Sequence, residues 1–322
     1  MRIRRRQGWE LPECRATDEK YWLDRRRFIA AMGFGLGSVA TLGCGASADG
    51  GVDEITVSST IPPARAPYPF SRNESIKLDR AMTDETVSAS FNNFYEFTTD
   101  KAGVWKLTGD FETRPWTLEV GGLVSKPQTF DVETLVATMP MEERLYRFRC
   151  VEAWSMSVPW TGFPLRELLR RVEPRSNANF VRFVSFNRPD QAVGIREQSW
   201  YDWPYYEALR IDEAMNELTL VVTGIYGHEL PKQHGAPIRI VTPWKYGYKS
   251  PKSIVRIELV ESEPNTFWND LAPDEYGFMS NVDPKVPHPR WSQATERIIG
   301  TGERVVTLPY NGYGEWVGRM YS

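Results

Sequence analysis

The sequence predicts an α+β fold in which strands outnumber helices. Between Pro164 and Pro174, Leu165, Leu168, Leu169 and Val172 stand at i, i+3, i+4 and i+7, which predicts a short amphipathic helix, one of a few short helices between the strands. Several other runs are rich in β-branched residues or alternate in polarity, and Gly, Pro or Asn bound them, as is typical of strands. The predicted strands cover residues 116–120, 180–186, 218–226, 238–241 and 253–261, and the first ends in a Gly121-Gly122 turn.

The first 48 residues indicate an export signal. Arg25-Arg26-Arg27-Phe28 leads into a charge-free run that ends at Ala48, a pattern similar to a twin-arginine (Tat) signal read by the Tat translocase. Glycines make this run a poor membrane span, although a single N-terminal anchor is an alternative. A lipid tether at Cys44 fits less well, because Thr41-Leu42-Gly43 is a poor lipobox. Ala46-Ser47-Ala48 is typical of a cleavage site, so we expect a mature chain that starts near Asp49 and is exported, already folded, to the periplasm.

The remaining chain is acidic. The whole sequence has 39 basic and 42 acidic residues, of which nine basic and five acidic residues lie in residues 1–48. Residues 49–322 therefore have 30 basic and 37 acidic residues, a formal charge of −7. Nucleic-acid binding requires a basic face, so this composition excludes nucleic acid as an expected partner. Beyond residue 48 no apolar run approaches the ~20 residues of a membrane span.

The residues after the signal divide into three segments by composition. Residues 49–90 hold Pro62-Pro63, Pro67 and Pro69 among polar residues, which predicts an extended N-terminal arm. Residues 91–262 contain the predicted strands and helix and form the expected catalytic domain. Residues 263–322 are rich in Pro, Trp and Asn with little periodicity, so we expect a C-terminal arm of irregular structure packed on that domain.

Cys150 is the residue most suggestive of chemistry. Cys14 and Cys44 lie in the predicted signal, so the exported chain would keep one cysteine and could not close an internal disulfide. Arg147 and Arg149 precede Cys150, and nearby cations favour the thiolate, the form that binds metals and attacks electrophiles. The pattern therefore predicts a reactive or metal-binding thiolate.

Two kinds of site compete for these residues. A cysteine hydrolase would need a histidine base beside Cys150, and His228, His234 and His288 are the candidates, but no local protease signature surrounds the cysteine. A zinc site is disfavoured because His228 and His234 lie six residues apart with no third ligand nearby.

The loop 243–252 suggests a cofactor. It combines aromatic residues with three lysines, and it is either a solvated loop or a clamp on an anionic, ring-containing cofactor. Trp244 and Tyr246 would then be candidate pocket walls.

Seven segments in this order resemble the sulfite oxidase superfamily of molybdenum-pterin enzymes, and the resemblance covers nearly all of the mature chain. Within that superfamily the sequence is most similar to the bacterial periplasmic protein-methionine-sulfoxide reductases. The segments are Asn92-Asn93-Phe94-Tyr95-Glu96-Phe97, Arg149-Cys150-Val151-Glu152-Ala153-Trp154, Trp160-Thr161-Gly162-Phe163-Pro164-Leu165, His234-Gly235-Ala236-Pro237-Ile238-Arg239, Pro243-Trp244-Lys245-Tyr246-Gly247, Glu275-Tyr276-Gly277-Phe278 and His288-Pro289-Arg290-Trp291-Ser292-Gln293-Ala294-Thr295-Glu296-Arg297.

The resemblance implies a sulfite-oxidase-type molybdopterin-binding fold, with mixed β-sheets, short helices and long irregular segments. It implies one Mo-molybdopterin per chain, with Cys150 as the protein thiolate on molybdenum. Ser185 stands where threonine is usual in the reductases, and His234 where asparagine is usual. The residues that would hold the cofactor are Asn92, Tyr95, Glu96, Cys150, Ser185, His234, Arg239, Ser250, Pro251 and Lys252.

The resemblance also implies the reaction and its partners. Sulfite oxidases carry arginines just after the ligand cysteine, whereas Val151 and Glu152 follow Cys150 here, which favours a neutral sulfoxide over the sulfite dianion. We therefore expect reduction of methionine sulfoxide in oxidised periplasmic proteins. The electrons would come from the quinone pool through a membrane haem b subunit of the MsrQ type, since the chain has no dinucleotide motif. A sulfite-oxidase-like oxidoreductase and a cysteine-dependent hydrolase are the alternatives.

Overall fold

The computed structural model describes residues 56–322, so the predicted signal and the start of the N-terminal arm lie outside the described residues. The α-helices are α1 Glu85–Ala89, α2 Val104–Leu107, α3 Val132–Thr138, α4 Leu165–Val172, α5 Val193–Glu197, α6 Ile211–Met215, α7 Phe267–Leu271 and α8 Gly314–Val317. The strands are β1 Thr117–Gly122, β2 Gln128–Asp131, β3 Glu142–Arg149, β4 Trp154–Pro164, β5 Phe180–Ser185, β6 Tyr206–Arg210, β7 Leu220–Ile225, β8 His228–Glu229, β9 Arg239–Val241, β10 Ile254–Val260, β11 Thr295–Ile298 and β12 Arg304–Val306.

The strands form two mixed sheets. The first has the order β2-β1-β10-β5-β6, in which β1 and β10 are parallel and the other neighbours antiparallel. The second contains β12-β11-β4-β7-β8, with β3 also on β4 and β9 on β7, and its β11–β4 pair is parallel. Mixed sheets with short helices confirm the predicted α+β class.

The predicted helix and strands coincide with observed elements. All four periodic residues of α4, namely Leu165, Leu168, Leu169 and Val172, are buried. The predicted strands correspond to β1, β5, β7, β9 and β10 with ends shifted by one or two residues. Gly122 at the end of β1 has φ +79°, and a Cβ there would lie 2.3 Å from the Leu259 carbonyl oxygen, so only glycine fits that turn.

The longest strand was missed by the sequence analysis. From Trp154 to Thr161 β4 alternates apolar residues with Ser, Pro or Thr, yet every one of its residues is buried, with β3 on one side and β7 on the other. It also contains Pro159 and Gly162, which reduce its apparent strand character. The hairpin of β3 and β4 is therefore a finding of the structure.

Two clusters of buried apolar side chains form the core. One lies around α4 and the first sheet and contains an aromatic group around Phe111 and Phe186, whose ring centroids are 4.5 Å apart. The other lies around β4 and contains Trp160, Trp244 and Tyr146. Cys150 belongs to this second cluster, so the core packs directly behind it.

Both terminal segments pack on the β3–β4 hairpin. In the N-terminal arm, Asn73 donates to the Glu143 carbonyl and Thr83 to the Ser157 carbonyl. In the C-terminal segment, β11 pairs with the start of β4, so that segment contains strands that the prediction of irregular structure missed. Within residues 56–322, no helix has both the length and the apolar character that a bilayer crossing requires.

Candidate active site

Cys150 lies in the tight turn between β3 and β4. Its backbone N–H donates to the Trp154 carbonyl over 2.9 Å, and its own carbonyl accepts from the Ala153 N–H over 3.1 Å. Ala153 adopts a left-handed conformation with φ 62°, which closes the turn. The thiol points into the turn, because Sγ lies 3.4 Å from the Glu152 N–H.

Strand alternation separates Cys150 from the arginines that precede it. Phe148 and Cys150 face a cavity, whereas Arg149 points to the opposite side and pairs with Glu296 over 3.0 Å. Burial raises the pKa of the Cys150 thiol, and the Glu152 carboxylate adds to the rise. Arg149 still lowers this pKa, but the opposing effects are larger, so the prediction that nearby cations would leave Cys150 as a thiolate is wrong for the metal-free thiol.

One cavity collects nine of the ten predicted site residues. It contains about 990 Å³ of space unfilled by protein atoms, a volume that includes open solvent at its mouth. The exception is Ser185, which lies behind the cavity wall. Its N–H donates to the carbonyl of Tyr205, which lines the cavity, and its buried hydroxyl has no partner among the described residues. The nine that line it are Asn92, Tyr95, Glu96, Cys150, His234, Arg239, Ser250, Pro251 and Lys252.

The cavity holds two buried cations without an ion-pair partner among the described residues. Arg239 donates only to carbonyl oxygens, those of His234 at 2.9 Å, Ser250 at 3.1 Å and Ile240 at 3.4 Å, and Lys252 donates to the Asn93 carbonyl at 2.6 Å. Burial lowers the pKa of Arg239 to about 9 and, together with Arg239, that of Lys252 to about 7. Because buried charges in proteins are normally paired, this end of the cavity is built for an anion.

His234 lies beside these cations as a neutral ring. Burial lowers its pKa well below the usual range, and the Arg239 charge lowers it further. Its Nδ1 is 3.3 Å from the Asn92 side-chain nitrogen, which acts as donor when Nδ1 is unprotonated. Nε2 then carries the proton, so the ring offers a donor of the kind that asparagine supplies in the reductases.

A polar edge borders the sulfur. Asn93 donates from Nδ2 to Cys150 Sγ over 3.1 Å, and its Oδ1 is buried without a partner, as is Oδ1 of Asn92. Burial raises the pKa of Glu96 to about 7, so this carboxyl is partly protonated near neutrality and can donate a hydrogen bond. Asn93 was missed as a site residue, although it stands in the predicted Asn92–Phe97 motif, because adjacency in sequence does not show which amide reaches the sulfur.

Two glycines let the cavity walls approach each other. Gly235 has φ +93°, and a Cβ there would lie 2.6 Å from Lys252 Cβ. A Cβ on Gly194 would lie 2.3 Å from the Tyr95 carbonyl oxygen. Both contacts are shorter than any side chain tolerates, so these positions fix Lys252 and the Tyr95–Glu96 backbone against the cavity.

The residues present fit a molybdopterin. Arg239 and Lys252 offer N–H donors and positive charge for its phosphate, and the oxygens of Asn92 and Asn93, which have no partner among the described residues, can accept from the N–H groups of a pterin edge. Cys150 Sγ on the same wall is the soft ligand that molybdenum favours. The cavity thus offers two cationic donors for the phosphate, two oxygen acceptors for the pterin and one sulfur for molybdenum.

The geometry does not assemble a cysteine hydrolase. The described residues include all three histidines of the sequence, and none lies within hydrogen-bond distance of Cys150 Sγ. His228 contacts Glu85 and His288 stacks on Trp291, while His234 contacts Asn92. A buried thiol with a raised pKa and no base is a poor nucleophile.

The two predicted wall aromatics do not line this cavity. Trp244 is fully buried and donates from its indole nitrogen to the Tyr321 hydroxyl over 2.9 Å. Tyr246 lines a second, neighbouring cavity instead. The aromatic walls come from Phe148, Trp160 and Trp268, which sequence position alone did not single out.

The C-terminal segment holds the Cys150 turn in place. Trp291 and Gln293 both donate to the Val151 carbonyl over 2.7 Å. Glu296, almost fully buried, accepts from Arg149 and from Arg80. These contacts hold the residues before and after Cys150 in place, so its sulfur has one fixed position.

Comparison with known proteins gives the family. Residues 106–268 match the family model described as "Oxidoreductase molybdopterin binding domain". The chain is 46% identical over 321 residues to the protein-methionine-sulfoxide reductase catalytic subunit MsrP of Burkholderia mallei, covering 98% of this chain and 94% of that protein. It is 47% identical over 323 residues to the MsrP of Xanthomonas axonopodis pv. citri, covering 98% and 97%.

Among solved structures, the sulfane dehydrogenase SoxCD of Paracoccus pantotrophus matches with a TM-score of 0.44 and 17% identity, over 57% of this chain and 45% of that one.

Proposed function

We propose that this chain, which belongs to the sulfite oxidase superfamily and within it to the MsrP family, is the catalytic subunit of a molybdenum-dependent methionine sulfoxide reductase. The observation that carries the proposal is the cavity, which Cys150 lines together with two buried cations that form no ion pair among residues 56–322. Both near-full-length relatives carry the name of this activity. The substrate would be methionine sulfoxide in oxidised proteins, and the product methionine.

The protein residues would bind and orient the cofactor. Arg239 and Lys252 would pair with its phosphate, and Cys150 would hold the metal at a fixed point of the turn. When bound, the molybdenum cofactor supplies two-electron oxygen-atom chemistry. Asn93 keeps the sulfur oriented through its hydrogen bond to Sγ.

The surroundings of the sulfur favour a neutral substrate. The Glu152 carboxylate lies 3.6 Å from Cys150 Sγ and pairs with Lys101 over 3.1 Å, so its charge is partly balanced at the cavity mouth. A sulfite dianion approaching the metal would meet this carboxylate, whereas a sulfoxide carries no net charge. Phe91 packs edge-on against Trp154, and the two rings cover this side of the cavity against water.

The setting of the reaction follows from the predicted signal and from the family. The protein would be exported by the Tat translocase and act in the periplasm, since Arg25-Arg26-Arg27-Phe28 resembles the signal of a protein folded before export. Electrons would come from the quinone pool through a membrane haem b subunit of the MsrQ type. The oxidised proteins of the same compartment would be its substrates.

A dye-linked assay tests the activity. Purified holoenzyme with a reduced viologen donor should consume dye when free methionine sulfoxide is added, and sulfite with an electron-accepting dye should give no turnover. Sulfite oxidation without sulfoxide reduction would overturn the proposal in favour of a sulfite-oxidase-like activity. Activity that survives complete removal of molybdenum would overturn the molybdenum reaction.

A further inference from the structure

A cluster of rings extends from the cavity wall to the exposed Trp200. We define the aromatic rim as Tyr95, Trp268, Tyr201, Trp200 and Leu271. Tyr95 and Trp268 line the cavity itself, with ring centroids 5.2 Å apart. Tyr201 lies 6.5 Å from Tyr95 and 6.4 Å from Trp268, and Trp200 lies 5.9 Å from Tyr201, so the rings run continuously from the cavity wall to the surface.

The outer part of the aromatic rim is unusually exposed. Trp200 is 61% exposed and Leu271 is 44% exposed. Leu271 follows Trp268 by three residues in α7, so both side chains lie on the same face of that helix. Contiguous apolar surface of this kind on a soluble domain marks an interaction site, whereas isolated apolar residues do not.

The depth of the sulfur determines what can reach it. Cys150 is only 5% exposed, and the cavity that it lines is also lined by Tyr95 and Trp268 of the aromatic rim. A sulfoxide that reacts there must therefore project into the cavity from a chain that stays outside. The residues on either side of that methionine sulfoxide would rest on the rim.

We infer that the aromatic rim binds the unfolded polypeptide that flanks a methionine sulfoxide. This inference rests on the proposed function. Aromatic rings bind extended chains well because they offer large rigid surfaces at little entropic cost. The continuity of the rim with the cavity favours the substrate as occupant over a separate binding partner.

Substrate comparison tests the inference. The variant Trp200→Ala removes the outermost ring, and its exposure predicts an unchanged melting temperature. Trp316→Ala is the matched control, because Trp316 is 38% exposed and lies in α8, outside the residues that line the cavity. The holoenzymes are assayed with a viologen donor on free methionine sulfoxide and on a ten-residue peptide with one central methionine sulfoxide.

The expected result is selective for the peptide. Trp200→Ala should raise KM for the peptide about 5- to 10-fold, as loss of an interface tryptophan does. The same variant should leave KM for free methionine sulfoxide unchanged. Trp316→Ala should change neither. Equal loss on both substrates would show a structural role for Trp200, and no loss on either would show that the rim does not bind the peptide. If wild-type holoenzyme reduces neither sulfoxide, the proposed function itself fails.

Discussion

Replacing Glu296 with glutamine should destabilise the protein strongly. This carboxylate is 1% exposed and accepts from four donors: Arg149 at 3.0 Å, Arg80 at 2.9 Å, Ser155 at 2.8 Å and Thr307 at 3.2 Å. Glu296→Gln keeps the shape but leaves the fully buried Arg149 without its counter-charge, and it turns an N–H₂ group toward a donor. Breaking a buried pair in this way costs about 3–5 kcal/mol.

The thermal shift follows from that free energy. A domain of this size loses roughly 2–4 °C of melting temperature per kcal/mol, so Glu296→Gln should lower Tm by about 6–20 °C. The control is Glu119→Gln, whose partner Arg256 is 3.2 Å away, with both side chains about half exposed, and which should cost at most about 1 kcal/mol. Differential scanning calorimetry on both variants measures the difference. Equal, small shifts would refute the assignment of Glu296 as the anchor of the C-terminal segment.

Three further substitutions test the cavity and the core. The pKa of Lys252 is about 7 in the folded chain and 10.5 in the unfolded chain, so the unfolded state binds more protons between these two values. The free energy of unfolding of the cofactor-free protein should therefore rise from about pH 7 to about pH 9.5. Urea unfolding should show a smaller rise in the Lys252→Met variant. Gly235→Ala places a methyl 2.6 Å from Lys252 Cβ and should reduce bound molybdenum by metal analysis, whereas Gly109→Ala, with open space around it, should not. Leu168→Ala should cost about 2–5 kcal/mol in chemical unfolding while the molybdenum content per folded chain stays unchanged.

The sequence was sufficient for elements with one buried face. α4 was predicted to its ends because its four apolar residues repeat with the helical period and prolines flank it. β5 alternates along its length, with buried Val181, Phe183 and Ser185, and was predicted for the same reason. β4 also alternates, but it contains Pro159 and Gly162, which reduce its strand character, so it was missed along with the hairpin that presents Cys150.

The site was predictable as a set of residues and not as an electrostatic environment. Motif resemblance supplied nine residues that the fold brings to one cavity. It could not show that Arg149 turns away from Cys150, nor that burial and Glu152 raise the thiol pKa more than the nearby cations lower it. It also could not show that Asn93, rather than its neighbour Asn92, reaches the sulfur. Both depend on side-chain direction, which sequence spacing does not give for an unrecognised strand.

The sulfur count around molybdenum tests the central claim most directly. X-ray absorption at the molybdenum edge of purified holoenzyme should show three sulfur ligands, two from the pterin dithiolene and one from Cys150. The Cys150→Ser variant should show two, with reduced metal content. An unchanged sulfur count in the variant, or two sulfurs in the wild type, would contradict the assignment of Cys150 as the ligand.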